Sequence, residues 1–177
     1  MTSPAWLMQP PWMPVEAPIR GDEDNRSGHL LVDIAAQFDV THAPRYQPMG
    51  ERTFCNIYLW DVLSALGCCD VAAHWVDRAG TPVKPGAKGA QETRANDVVM
   101  RLGRQLYGWR HADEAAAYAH ADSGRPAVAG WYNRAGPGHV AIVLPGRVIA
   151  QAGRTNFFGR PLSHGFGSKP VSFFVHP

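Results

Sequence analysis

Two residues, Cys55 and His139, have the types and settings that nucleophilic chemistry requires. Cys55 stands in TFCNIYLWDVLSALG, at the beginning of an apolar periodic segment. A thiol in the first turn of a helix meets the partial positive charge of unpaired backbone N–H groups, which favours thiolate over thiol. Its own N–H, free at the helix start, can face the oxygen that becomes negative in a tetrahedral intermediate. His139 opens HVAIVL directly after GPG, the mouth of an expected hairpin. An imidazole within hydrogen-bond reach of a thiol supplies the base and later the acid of acyl chemistry. Such a ring needs a polar side chain to fix it. Gln151 in RVIAQAG is the leading candidate, and Asn156 in GRTNF is the reserve.

Parity makes the role of Gln151 conditional. Side chains alternate along a strand, so His139, Ala141 and Val143 share one face and Val140, Ile142 and Leu144 the other. Gln151 joins the face of His139 only if the loop between the two strands has an odd number of residues. A two-residue type I′ turn at Pro145 and Gly146 needs positive φ at both positions, which proline cannot adopt, so a loop of three or five residues is expected.

The elements that must carry these residues follow from periodicity. Residues 1–27, rich in proline and glycine, read as an extended arm, with Trp6 and Trp12 as anchors onto the main body 28–177. Helical spacing appears at Leu30, Leu31, Ile34 and Phe38 within 29–40, and again at Tyr58, Val62 and Leu66 within 53–67. Thr53 is the expected cap of the second helix and Gly67 its stop. After a Gly, Pro and Lys-rich loop over 77–89, residues 92–108 repeat the pattern, with Thr93 as cap and Gly108 as stop. An Ala-rich helix is expected over 113–123. Four short, turn-bounded strands are expected over 126–133, 139–144, 147–153 and 171–175. Helices followed by an antiparallel sheet define an α+β fold, with the helices expected on one face of the sheet.

The ordered set TFCN, GHVAIV and IAQAG resembles the NlpC/P60 and CHAP group of papain-like cysteine hydrolases. The resemblance spans about Tyr46 to Val175 and implies a papain-like fold, its nucleophile helix packed on a small antiparallel sheet. It implies cleavage of peptidoglycan amide bonds, by an endopeptidase or an N-acetylmuramoyl-L-alanine amidase, with Cys55, His139 and Gln151 as the catalytic set. It also implies an oxyanion contact from Tyr46, nine residues before the cysteine. Asn56, beside the nucleophile, is left open between capping the helix and touching substrate. In this chain TFCN stands where the group usually has DCSG, and Gln stands where its members carry His, Glu or Asn. This chemistry calls for neither a metal nor an organic cofactor.

Whole-chain properties narrow the classes further. At 177 residues and 45% hydrophobic composition, one domain is the default. A net charge of +2, with Lys and Arg scattered singly, gives poor support to a nucleic-acid groove. Five prolines in the first eighteen residues, with no basic residue before the apolar part, argue against a secretion signal. No segment has the apolar length of a membrane span. A soluble protein made in the cytoplasm is expected, reaching a cell wall through lysis or specialised secretion. Cys68 and Cys69, just past the helix stop, are assigned to packing, and an odd count of three cysteines implies no disulfide framework. Asp61, His74, Trp75, Asp77 and His111 are read as structural or solvated, and His164 as a residue that could line the cleft. Three rivals remain: a zinc site around His74, Cys68 and Cys69, an acyltransferase using the same thiol, and a catalytically silent wall-binding or assembly module.

Overall fold

A computed structural model describes residues 3–177 and has an α+β architecture. Its helices are α1 (Gly28–Ala36), α2 (Cys55–Ala65), α3 (Ala95–Gly103), α4 (Glu114–Asp122) and α5 (Leu162–Phe166). Its strands are β1 (Trp75–Val76), β2 (Gln91–Glu92), β3 (Arg110–Ala112), β4 (Ala127–Trp131), β5 (His139–Leu144), β6 (Val148–Gln151), β7 (Phe157–Arg160) and β8 (Ser172–Val175). β1 and β2 form a small ribbon. The other six form one antiparallel sheet in the order β3-β8-β4-β5-β6-β7.

The sheet is covered on both faces, contrary to the expected one. Phe173 and Phe174 are neighbours in β8 and therefore point to opposite sides. Phe174 stacks on His111, whose Nε2 lies 3.3 Å from the Gly103 carbonyl of α3, while Phe173 meets Tyr118 of α4 at a ring-centroid distance of 6.3 Å. The continuous apolar run of β5 requires this. Val140 through Leu144 are all buried, so neither face of the strand can be left to water.

Helix α2 owes its end to Gly67, whose φ of +76° closes a Schellman motif: Cys68 N donates to Leu63 O at 3.0 Å and Gly67 N to Ser64 O at 3.2 Å. Its start differs from expectation. The N-cap is Phe54, Thr53 lies one residue too early, and no side chain caps the first turn. Thr93 is likewise not a cap. The α3 N-cap is Arg94, whose N–H donates to Asp97 Oδ2 at 2.8 Å, and the Thr93 hydroxyl instead donates to Ala73 O at 2.6 Å. α3 stops at Gly103, short of Gly108, because Gln105 and Tyr107 adopt positive φ.

The arm is less extended than expected. It carries a 3₁₀ turn over Ala5–Met8 and contributes Leu7 and Ala17 to the core. Trp6 packs edge-to-face on Phe38 at 5.5 Å, as an anchor does. Trp12 does not: its carbonyl accepts from Trp75 Nε1 at 2.9 Å, while the residue stays exposed. Arg45 fixes this segment. Its buried guanidinium pairs with Asp61 of α2, Nε to Oδ2 at 2.7 Å and Nη2 to Oδ1 at 3.0 Å. It also donates to the carbonyls of Gln9, Pro10 and Met13 at 3.2, 2.6 and 2.7 Å. No helix among the described residues is long and apolar enough to cross a membrane.

Candidate active site

The uncapped start of α2 places the thiol. The first intrahelical bond runs from Tyr58 N to Phe54 O at 3.0 Å, so the N–H groups of Cys55, Asn56 and Ile57 stay outside the helical ladder. The backbone N–H groups of Asn56 and of Val140 in β5 both favour a negative charge on the Cys55 sulfur. α2 packs against β5 and β6, which brings Cys55 and His139 close enough for the charge on each to act on the other. Burial works against ionising the thiol, but the charge and hydrogen bond of His139 and the two N–H groups outweigh it. The Cys55 thiol therefore lies below its ordinary range. His139 moves the opposite way. Burial and Lys169 disfavour the imidazolium, while the Cys55 charge and hydrogen bonds to Cys55 and Gln151 favour it, and its pKa is raised. The two groups thus stabilise each other as a thiolate–imidazolium pair.

Gln151 completes the arrangement. The β5–β6 register pairs Leu144 with Val148, leaving a loop of Pro145, Gly146 and Arg147. Three residues is odd, so Gln151 falls on the His139 face, and His139 Nε2 hydrogen-bonds Gln151 Oε1. A bulge between β6 and β7 coincides with Gln151, where the register shifts between Ile149 and Gln151. Bulges of this kind re-aim side chains beside sites. α5 closes over the amide. A Cβ on Gly165 would lie 2.3 Å from Gln151 Oε1, so only glycine permits this approach, and Phe166 stacks on His139 at 5.0 Å.

Cys55 opens onto a cleft of about 810 Å³, bounded by the arm at Pro11 and Trp12, by residues 51–57, by His74 and Glu92 and by the 132–138 loop. Asn96 of α3 holds that loop: Nδ2 donates to Asn133 O at 2.9 Å and to Gly136 O at 3.0 Å, and Oδ1 accepts from Asn133 N at 3.0 Å. The second glycine of GPGH matters for closeness. A Cβ on Gly138 would lie 2.2 Å from Asn96 Oδ1 and 2.6 Å from Trp131 O.

Two expected residues fall elsewhere. Tyr46 is fully buried and its hydroxyl donates to Asp61 Oδ2 at 2.7 Å, a bond that draws it away from the oxyanion role; it does not line the cleft. Asn156 bonds Tyr46 O at 2.9 Å and Gly153 N at 2.8 Å, tying down the loop after β6 and not the imidazole. Asn56 does line the cleft, with Nδ2 donating to Thr93 O at 2.9 Å. His74 sits beside it, its Nε2 3.0 Å from Glu92 Oε1 and its ring against Trp60 and Trp75, and burial holds its pKa down. Exposed His164 packs edge-to-face on Phe157 and is not a cleft residue. Cys68 is buried, and burial pushes its thiol up to about 12.

Three contributors had no local signal in the sequence. The cleft-facing Trp12, the clamp Asn96 and the close-packed Gly165 all act across long chain separations. Compared with family models and with curated proteins, the chain matches none.

Proposed function

We propose that this chain is a papain-like cysteine hydrolase of the NlpC/P60 and CHAP type, acting on amide bonds of cell-wall peptides. One observation carries the proposal: a thiol at an uncapped helix start, its pKa lowered by a histidine that is itself held by Gln151, opens onto a substrate-sized cleft. The Cys55 thiolate attacks the amide carbon, forming the C–S bond, and the carbonyl oxygen takes the negative charge. The Cys55 N–H, free of the helical ladder, stabilises that oxygen. The His139 imidazolium gives its proton to the leaving nitrogen as the C–N bond breaks. Water then transfers a proton to His139 and attacks the thioester, the C–S bond breaks, and the acid leaves with the thiol regenerated.

Digestion of purified peptidoglycan by the wild type and by Cys55→Ala, with mass spectrometry of the products, tests this. New amine and carboxyl termini are expected from the wild type alone. Identical product spectra from both proteins would sink the proposal.

A further inference from the structure

We propose that Trp12 is a stacking platform for a sugar ring, so that the cleft takes a glycan-linked peptide in preference to a free one. This rests on the reading of the site as a wall hydrolase and specifies its substrate. Trp12 and Tyr132 are 39% and 43% exposed, and both line the cleft onto which Cys55 opens. Large aromatic side chains left open in a concave site mark ligand contact.

The position of Trp12 is built, although it lies in an irregular arm. Its turn is closed by Met13 N donating to Pro10 O at 2.9 Å. Arg45 grips the carbonyls of Pro10 and Met13 on either side of it, and Trp75 Nε1 holds its own carbonyl. Taking a guanidinium out of water is costly, and this one, paired with Asp61, directs its remaining donors to the arm. The backbone that carries the indole is therefore held at a fixed place, and only the rotamer freedom of the ring is left to lose on binding.

The remainder of the cleft favours a saccharide over an aliphatic side chain. Its other exposed members are charged, apart from Ala135 and Pro137, and no exposed Leu, Ile, Val or Met lines it. A pyranose presents an apolar C–H face and a rim of hydroxyls. The C–H hydrogens carry partial positive charge and suit the negative face of an aromatic ring. The hydroxyl rim would meet Arg52, Glu92 and Arg94, which provide donors and acceptors on the cleft wall.

The test uses the full chain carrying Cys55→Ala, which binds without turnover. Its affinity is measured by calorimetry for a muramyl peptide and for the same peptide without sugar. The sugar-bearing ligand is expected to bind roughly tenfold tighter, the size of one good aromatic contact. Adding Trp12→Ala should bring that ratio close to one, and Trp12→Phe should keep most of it. Tyr132→Ala, at the other exposed aromatic of the cleft, gives a second reading should Trp12→Ala unfold. Equal affinity for the two ligands, or a ratio that a folded Trp12→Ala protein keeps in full, would overturn the inference. Digestion by the Cys55-competent protein reports separately on hydrolysis, so failure of one reading is distinguishable from failure of the other.

Discussion

His139 Nε2 bonds the side-chain oxygen of Gln151, while the Gln151 side-chain nitrogen donates to Thr155 O at 3.3 Å. The Thr155 carbonyl can only accept, so the amide has one orientation, and its oxygen must face the imidazole. In the neutral ring Nε2 then carries the proton, and Nδ1 is the nitrogen left to exchange one with the thiol. A neutral amide sets the histidine tautomer here, a task that a carboxylate performs in Ser-His-Asp triads.

Removing that amide should impair turnover more than binding. Gln151→Ala is expected to lower kcat by about 10- to 100-fold, the usual cost of losing a partner that orients a reactive group. Gly165→Ala should do the same without altering any reacting residue, because its Cβ would lie 2.3 Å from Gln151 Oε1. Steady-state kinetics decide: an effect confined to KM would contradict the orienting role.

The pH profile follows from opposite shifts. Cys55 is lowered, so the thiolate appears as pH rises through a value below the ordinary thiol range. His139 is raised, so the imidazolium is lost only above the ordinary histidine range. kcat/KM should rise through the first and fall through the second. Gln151 helps to raise His139, so Gln151→Ala should move the falling limb to lower pH. An unmoved limb would show that the amide does not act on the ring.

Alkylation should discriminate between the thiols at the two ends of one helix. Iodoacetamide at neutral pH is expected to label Cys55 ahead of Cys68, whose thiol is pushed up to about 12. His139→Ala should slow labelling of Cys55 and shift its midpoint upward. Peptide mapping of the labelled protein reads both, and preferential labelling of Cys68 would argue against the activated thiol.

Arg45→Met should leave the buried Asp61 carboxylate without its charge partner and free three arm carbonyls. The expected loss is about 3–5 kcal/mol, as for other broken buried pairs, measurable by urea unfolding. A loss under about 1 kcal/mol would mean the pair behaves like a surface ion pair.

The sequence carried the local parts of this site. Spacing located α2, the β5–β6 hairpin was visible in HVAIVL and RVIAQ, and the conformational limits of Pro145 pointed to an odd loop. What escaped it was long-range. Nothing near Tyr46 announces that its hydroxyl belongs to Asp61, since chain distance from Cys55 says little about direction. β7 and β3 are too short and mixed to stand out, and they exist because β6 and β8 offer them open edges. The cap at Thr53 followed a sound preference, but the helix begins one residue too late for it. The resulting uncapped turn is the one whose free N–H groups surround the thiol.

The place of β8 has a consequence for how the molecule comes into being. Residues 172–175 follow every other strand in chain order, yet they lie inside the sheet between β3 and β4. Until they arrive, β4 has an unpaired edge and the aromatic contacts of Phe173 and Phe174 on both faces are missing. A nascent chain emerging N-terminus first cannot complete its sheet before β8 clears the ribosome. Cys55 and His139, carried on α2 and β5, are therefore held on a finished sheet only after translation has passed β8.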